Sequence, residues 1–232
     1  VRCLAVVHQR DAGPGVFSDA IEAGGHELES WHPAEGEPAP DLGRYEAILS
    51  FGGAVHPVQD DAHPWLAQER ALLAAGLERE LPLLCVCLGS QLLAAAAGAE
   101  PRRAPEPEIG WLALELTEAG RADPLLAPLA PGFTAFQWHS YETPLPPGAV
   151  ALAQSPVCLQ GYRIGERAWG LQFHAEVAPA DAERWIADWR SDSDAIAIGL
   201  DAEAMRQDTA TAIEHWNELG RGICERFLAL AA

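Results

Sequence analysis

In the first part of the chain, short continuous apolar blocks alternate with stretches whose apolar residues fall on helical spacing. Val1 to His8 reads as a buried strand closed by the loop Gln9 to Gly15, after which a first helix runs to about Ala23 and stops at Gly24-Gly25. His26 to Trp31 reads as a second strand, Pro33 to Pro40 as an exposed loop, and Tyr45 to Phe51 as a third strand ended by Gly52-Gly53. Between Ala62 and Glu80, Leu66, Ala67, Leu72, Leu73 and Leu77 share a helical face, and Leu81 to Cys87 is again a short apolar run. A helix of small residues from Gly89 to Ala97 follows at once. The alternation predicts an α/β fold, a doubly wound and mainly parallel sheet with flanking helices.

After Gly110 the pattern changes. Trp111 to Thr117, Gly132 to Trp138, Ala149 to Gln154 and Val157 to Ile164 are short alternating segments separated by Pro and Gly, as in antiparallel hairpins. Ala168 to His174 is one more apolar strand, and Pro179 opens a helix bearing Trp185, Ile186 and Trp189. Ser191 to Glu203 is acidic and expected to be weakly structured, and a last helix places Ile213, Trp216, Leu219, Ile223 and Phe227 at three- and four-residue steps. The expected organisation is one domain over residues 1–190 with a small antiparallel extension, then an acidic linker and C-terminal helix over 191–232 packed on that domain. That helix could instead dock on a partner protein.

Composition narrows the functional classes. With 15 basic against 34 acidic residues the net charge is −19, and every basic residue is Arg. Such a surface repels phosphate backbones and anionic lipid, so nucleic-acid and membrane roles are not expected. No apolar run approaches a membrane span and the first residues lack a signal-peptide core, so a cytoplasmic location is the expectation. Cys3, Cys85, Cys87, Cys158 and Cys224 are odd in number and mostly in apolar surroundings, which fits free thiols better than a disulfide framework.

The most informative segment is Leu83-Leu84-Cys85-Val86-Cys87-Leu88-Gly89-Ser90-Gln91. A strand that turns directly into a helix puts its corner residue on a sharp bend at the carboxyl end of the sheet, which requires small residues two before and two after. Gly89 meets that demand and Cys85 meets it less well. Cys87 at a helix N-terminus would favour thiolate, the form a nucleophile needs. A buried inert cysteine is the plainer reading of any apolar Cys, but the elbow context favours the nucleophile. A Cys85/Cys87 metal or redox pair is disfavoured because no second Cys/His pair with zinc spacing accompanies it, and no metal is expected. In Gln172-Phe173-His174-Ala175-Glu176, an extended backbone would put His174 and Glu176 on one side, where the carboxylate can orient the imidazole. Gly52-Gly53 offers unobstructed backbone N–H groups, with Gly53 and Leu88 as oxyanion-hole candidates.

These residues resemble the class I glutamine amidotransferase family, whose pattern pairs a G-x-C-x-G-x-Q elbow with a later F-H-P-E. Here the elbow reads C-V-C-L-G-S-Q at 85–91 and the later motif F-H-A-E at 173–176. S-F-G-G at 50–53 and W-H-S-Y-E at 138–142 are also similar to family segments, while H-Q-R-D-A-G-P-G at 8–15, E-I-G-W at 108–111 and L-P-P-G-A at 145–149 resemble the stand-alone subgroup related to the amidotransferase domain of GMP synthase. The resemblance covers about residues 1–190 and implies the flavodoxin-like fold of that family. It further implies Cys87 as nucleophile, His174 as acid/base and Glu176 as its orienter, with Gly52, Gly53, Leu88, Gln91, Ser140 and Tyr141 around a bound glutamine, mostly through backbone. His139 is expected to be a pocket-wall residue that positions Ser140 and Tyr141, and Arg102 and Arg103 to be surface charges. Cys85 and Ala175 depart from the family's usual Gly and Pro, which would tune rather than abolish activity.

The implied reaction is hydrolysis of glutamine or another γ-glutamyl compound through a Cys87 thioester, with no cofactor. No G-x-x-x-x-G-K-[ST] loop is present, so released ammonia would pass to a separate synthetase unless the chain simply hydrolyses its substrate. A γ-glutamyl peptide or amide hydrolase would use the same residues, and a non-catalytic regulatory module on this fold is a third reading. A homodimer is left open.

Overall fold

The computed structural model describes residues 1–231 as an α/β fold around one nine-stranded mixed sheet. The strands are β1 (Arg2–Val6), β2 (Glu27–Trp31), β3 (Ala47–Ser50), β4 (Leu83–Val86), β5 (Arg102–Leu116), β6 (Gly132–Glu142), β7 (Val150–Gln154), β8 (Leu159–Ile164) and β9 (Ala168–Leu171). The helices are α1 (Val16–Ala23), α2 (Trp65–Glu78), α3 (Leu88–Ala96), α4 (Glu118–Ala122), α5 (Pro179–Ala187), α6 (Ser193–Ala197) and α7 (Ala202–Ala231). Strand order is β2-β1-β3-β4-β9-β8-β7-β5-β6, parallel from β2 through β9 and antiparallel from there to β6.

The parallel half follows from its sequence. β3 and β4 are buried at every position, the mark of strands covered on both faces. Successive side chains alternate between two cores. Cys3, Ala5, Leu84 and Val86 face Phe17, Ile21, Ile223 and Phe227 of α1 and α7, whereas Leu4, Leu83 and Cys85 face Leu66, Leu73, Leu92 and Leu93 of α2 and α3.

Three local expectations are corrected. The antiparallel part is not a set of short hairpins: β5 spans 15 residues, running through Gly110 at φ 122° with an irregularity between Arg103 and Glu108. Arg102 and Arg103 therefore open a strand, where they pair with Glu142 and Asp194. β9 ends at Leu171, so His174 lies in an irregular loop beyond the strand. The acidic segment after Ser191 is helical: Asp192 caps α6 by accepting from the N–H groups of Asp194 and Ala195.

The carboxyl ends of β1, β3, β4 and β9 converge, as parallel sheets require of strands that share a direction. β6 returns to meet them, with the His174 N–H donating to the Phe136 carbonyl at 3.0 Å.

Candidate active site

Cys87 stands at the corner between β4 and α3 with φ 51° and ψ −111°. A non-glycine residue held there costs on the order of 1–3 kcal/mol, which the surroundings must offset. The Cys87 N–H donates to Leu171 O at 2.7 Å, its carbonyl accepts from Gln91 N at 3.0 Å, and Gly89 N donates to Phe51 O at 3.0 Å. Gly89 is obligatory, since a Cβ there would lie 2.3 Å from Ser50 Oγ and 2.6 Å from Ser50 O. Cys85 fits as a fully buried apolar side chain whose thiol is pushed up by burial and then by the nearby Glu69 charge.

His174 Nδ1 bonds Glu176 Oε1 at 2.8 Å with both side chains buried. Their contact does not come from strand alternation but from a bent loop held by its neighbours. Trp216 Nε1–H donates to His174 O at 2.8 Å, Asn217 Nδ2–H to Val177 O at 2.8 Å, and the Val16 N–H to Glu176 O at 2.8 Å. Gly220 of α7 seats against Ala175 O, which a Cβ would approach to 2.1 Å, and Gly15 against Glu176 O, which a Cβ would approach to 1.9 Å. Trp185 closes edge-on over the imidazole at 4.8 Å between centroids. Burial alone would lower the His174 pKa, but the Glu176 charge, then the charge and hydrogen bonding of Cys87, raise it to about 10. Among the described residues Glu176 Oε2 has no partner, so the carboxylate's one hydrogen bond goes to His174.

Cys87 and His174 both line a cavity of about 380 Å³, together with Gly53, Ser140, Trp185 and a row of carboxylates, Asp11, Asp188, Asp192 and Asp194. A narrower arm of about 80 Å³ also meets Cys87 and is walled by Gly53, Leu88, Gln91, Ser140 and Tyr141. One placement differs from the sequence expectation. Gly52 packs beneath the imidazole, where a Cβ would lie 2.9 Å from His174 Cε1, rather than facing the cavity space. The Gln91 amide is spent internally, donating to Tyr141 O at 3.0 Å and Gln172 Oε1 at 3.0 Å. His139 Nδ1 bonds Tyr141 O at 3.0 Å, and the Tyr141 ring stacks on His56 at 4.5 Å.

Residues that the sequence pattern did not single out include His8 and Glu69, an ion pair at 2.6 Å behind Gly52-Gly53, and Asp192 and Asp194 on the pocket wall. An acidic residue on an otherwise apolar helical stripe was the one available signal for Glu69. Among the described residues, one group could hold a metal by donor type: Glu108, His139 and Cys158. Glu108 Oε2 already accepts from the Cys158 thiol at 3.2 Å and Gln160 Nε2 at 2.7 Å, so hydrogen bonding accounts for most of this group.

Fold and pocket thus define an α/β protein with a cysteine elbow whose thiol shares a cavity with a buried His–Glu pair. The chain belongs to the class I glutamine amidotransferase family, whose model matches residues 26–189. A glutamine amidotransferase-like protein of Salmonella typhimurium, YfeJ, is 31% identical over 183 residues, covering 76% of each chain. A subunit of the glutamine-hydrolyzing GMP synthase of Ignicoccus hospitalis is 33% identical over 60% of this chain and 71% of that one. A γ-glutamyl-L-1-hydroxyisopropylamide hydrolase of a Pseudomonas species is 32% identical over 63% of this chain, and the match spans 52% of that enzyme. A glutamine amidotransferase from Thermotoga maritima superposes with a TM-score of 0.88 at 27% identity, covering 98% of both chains.

Proposed function

We propose that the protein hydrolyses a γ-glutamyl amide through a Cys87 thioester. The observation that carries this reading is the bond from Glu176 to His174 Nδ1, which leaves Nε2 for the thiol of Cys87 in the same cavity. The Cys87 thiolate attacks the γ-carbonyl, forming a C–S bond and an oxyanion that the N–H groups of Gly53 and Leu88 receive. Leu88 is the first residue of α3, where helical N–H groups lack intrahelical partners. The tetrahedral adduct collapses as the C–N bond breaks and His174 gives its proton to the departing nitrogen. Water then attacks the thioester while His174 takes its proton. The C–S bond breaks, glutamate leaves and the thiolate returns.

In this reading the glutamyl group lies toward the narrow arm beside Ser140 and Tyr141, and the leaving amine toward the wider cavity bounded by Gln9, Asp11, Trp185 and Asp188. A cavity of about 380 Å³ is far larger than ammonia needs, since one water occupies roughly 30 Å³ of liquid. That room admits γ-glutamyl amides with a substituted amine, the class named for the Pseudomonas relative, as well as glutamine. With glutamine as substrate, a separate synthetase would take the ammonia; the Ignicoccus relative is itself one subunit of a GMP synthase.

The test is glutamate release from glutamine and a set of γ-glutamyl amides, with Cys87→Ala as control. Release from at least one compound, lost in the variant, is the expected result. Equal background rates for both proteins on every compound would end the catalytic reading.

A further inference from the structure

Behind the candidate oxyanion strand end lies a second buried His–carboxylate pair that the chemistry above does not use. His8, just beyond the end of β1, is 8% exposed and Glu69 of α2 is 0% exposed. His8 Nε2 meets Glu69 Oε2 at 2.6 Å, and Glu69 Oε1 accepts from Ser50 Oγ at 2.5 Å. The other ring nitrogen, Nδ1, lies 2.9 Å from the Gly52 carbonyl oxygen. A carbonyl only accepts, so Nδ1 carries the hydrogen. Trp65 stacks on the face of the ring at 5.0 Å between centroids, which fixes its plane.

The Gly52 carbonyl and the Gly53 N–H belong to one peptide. It is trans, since Ala130-Pro131 is the cis bond among the described residues, so its oxygen and its N–H point in opposite directions. Gripping the oxygen from the His8 side therefore aims the Gly53 N–H toward the cavity that Gly53 shares with Cys87. Two glycines in sequence would otherwise let this peptide rotate with little steric cost. His8 is also close-packed on Gly53: a Cβ there would lie 3.0 Å from His8 Cβ.

We infer that His8, oriented by Glu69, is a positioning residue that holds the Gly52-Gly53 peptide with its N–H presented to the developing oxyanion. This rests on the γ-glutamyl thioester reading above. Both ring nitrogens face oxygen acceptors, and although burial lowers the His8 pKa, the Glu69 charge and hydrogen bond raise it. An imidazolium donates more strongly to a carbonyl than a neutral ring does.

Two amide replacements separate the contacts of His8. In His8→Asn the side-chain amide nitrogen takes the place of Nδ1 and can still donate to Gly52 O. In His8→Gln it reaches toward Glu69 and leaves Gly52 O without its donor. Removing one oxyanion donor costs about 100- to 1,000-fold in kcat, and a misaimed one should cost less. The expected result is a kcat roughly 10- to 100-fold lower in His8→Gln, with KM within about twofold and His8→Asn within about fivefold of wild type. Alkylation of Cys87 by iodoacetamide supplies a readout that needs no oxyanion hole, and its rate should stay within about twofold of wild type in both variants. A His8→Gln kcat within about twofold of wild type would overturn the inference. So would equal losses of kcat and alkylation rate in both variants, which would assign His8 a purely structural role. If wild type and Cys87→Ala released glutamate equally, the underlying function would fail and this inference with it, an outcome distinct from loss of the His8 effect in an active enzyme.

Discussion

Gly52 gives the sharpest single test of the site geometry. An alanine there would place Cβ 2.9 Å from His174 Cε1 and 3.6 Å from Cys87 Cβ. Ordinary contact begins near 3.4 Å, so the imidazole must retreat by about half an ångström. It has little freedom to do so, because Glu176 holds Nδ1 at 2.8 Å and Trp185 closes the other side at 4.8 Å. Misplacing a reacting group by about 1 Å costs on the order of 100-fold, or about 2.7 kcal/mol of barrier, so half that shift should cost about tenfold. The assay is kcat for glutamate release from the best γ-glutamyl substrate, with Gly13→Ala as a control because its Cβ would meet nothing closer than 3.8 Å. The expected result is a kcat about tenfold lower in Gly52→Ala, with Gly13→Ala near wild type. A Gly52→Ala kcat within about twofold of wild type would refute the claim that the ring is pinned on three sides.

Four further outcomes are expected. His174, raised to about 10, stays protonated below that pH, so the activity it supports should persist through neutral pH and fall as pH rises through about 10. Glu176→Gln removes the largest influence raising that pKa, so the alkaline limb of kcat/KM should move down by more than about one pH unit, and an unmoved limb would detach it from His174. In Gly220→Ala a Cβ would come within 2.1 Å of Ala175 O, and overpacking of about 2 kcal/mol should lower Tm by roughly 4–8 °C in a thermal melt. A Tm equal to or above wild type, as helix propensity alone would give, would contradict that packing. Native protein should incorporate one equivalent of iodoacetamide, at Cys87, against five after denaturation, counted by mass spectrometry. Cys87 lines the cavity, while burial pushes Cys3 up to about 11 and raises the thiols of Cys85, Cys158 and Cys224.

The parts of the fold legible in the sequence are those set by local rules. Continuous apolar runs marked β3 and β4, and glycine at 89 marked the elbow, because covered strands and close helix packing leave such traces within a few residues. His174 and Glu176 could be paired from sequence because they are two residues apart, although the backbone bringing them together is a bent loop and not the strand the spacing suggested. His8 and Glu69 could not, since 61 residues separate them and neither the end of an apolar strand nor one acid on a helical stripe names its partner. The length of β5 was hidden by Pro105, Pro107 and Gly110, which punctuate a sequence without ending a strand that can bulge. Acid-rich 191–203 read as weakly structured, yet Trp138 Nε1–H to Asp192 Oδ2 at 2.8 Å and Arg103 to Asp194 tie it to the pocket.

The grip of α7 on the loop around His174 also makes that loop depend on residues made late in synthesis. Cys87 and the strands beneath it emerge early, but the Trp216 and Asn217 donors that tether His174 O and Val177 O belong to α7, which is made well after them. Domains fold as units while the chain grows from its N-terminus. A chain interrupted before α7 lacks both of these tethers on the loop that carries His174 and Glu176.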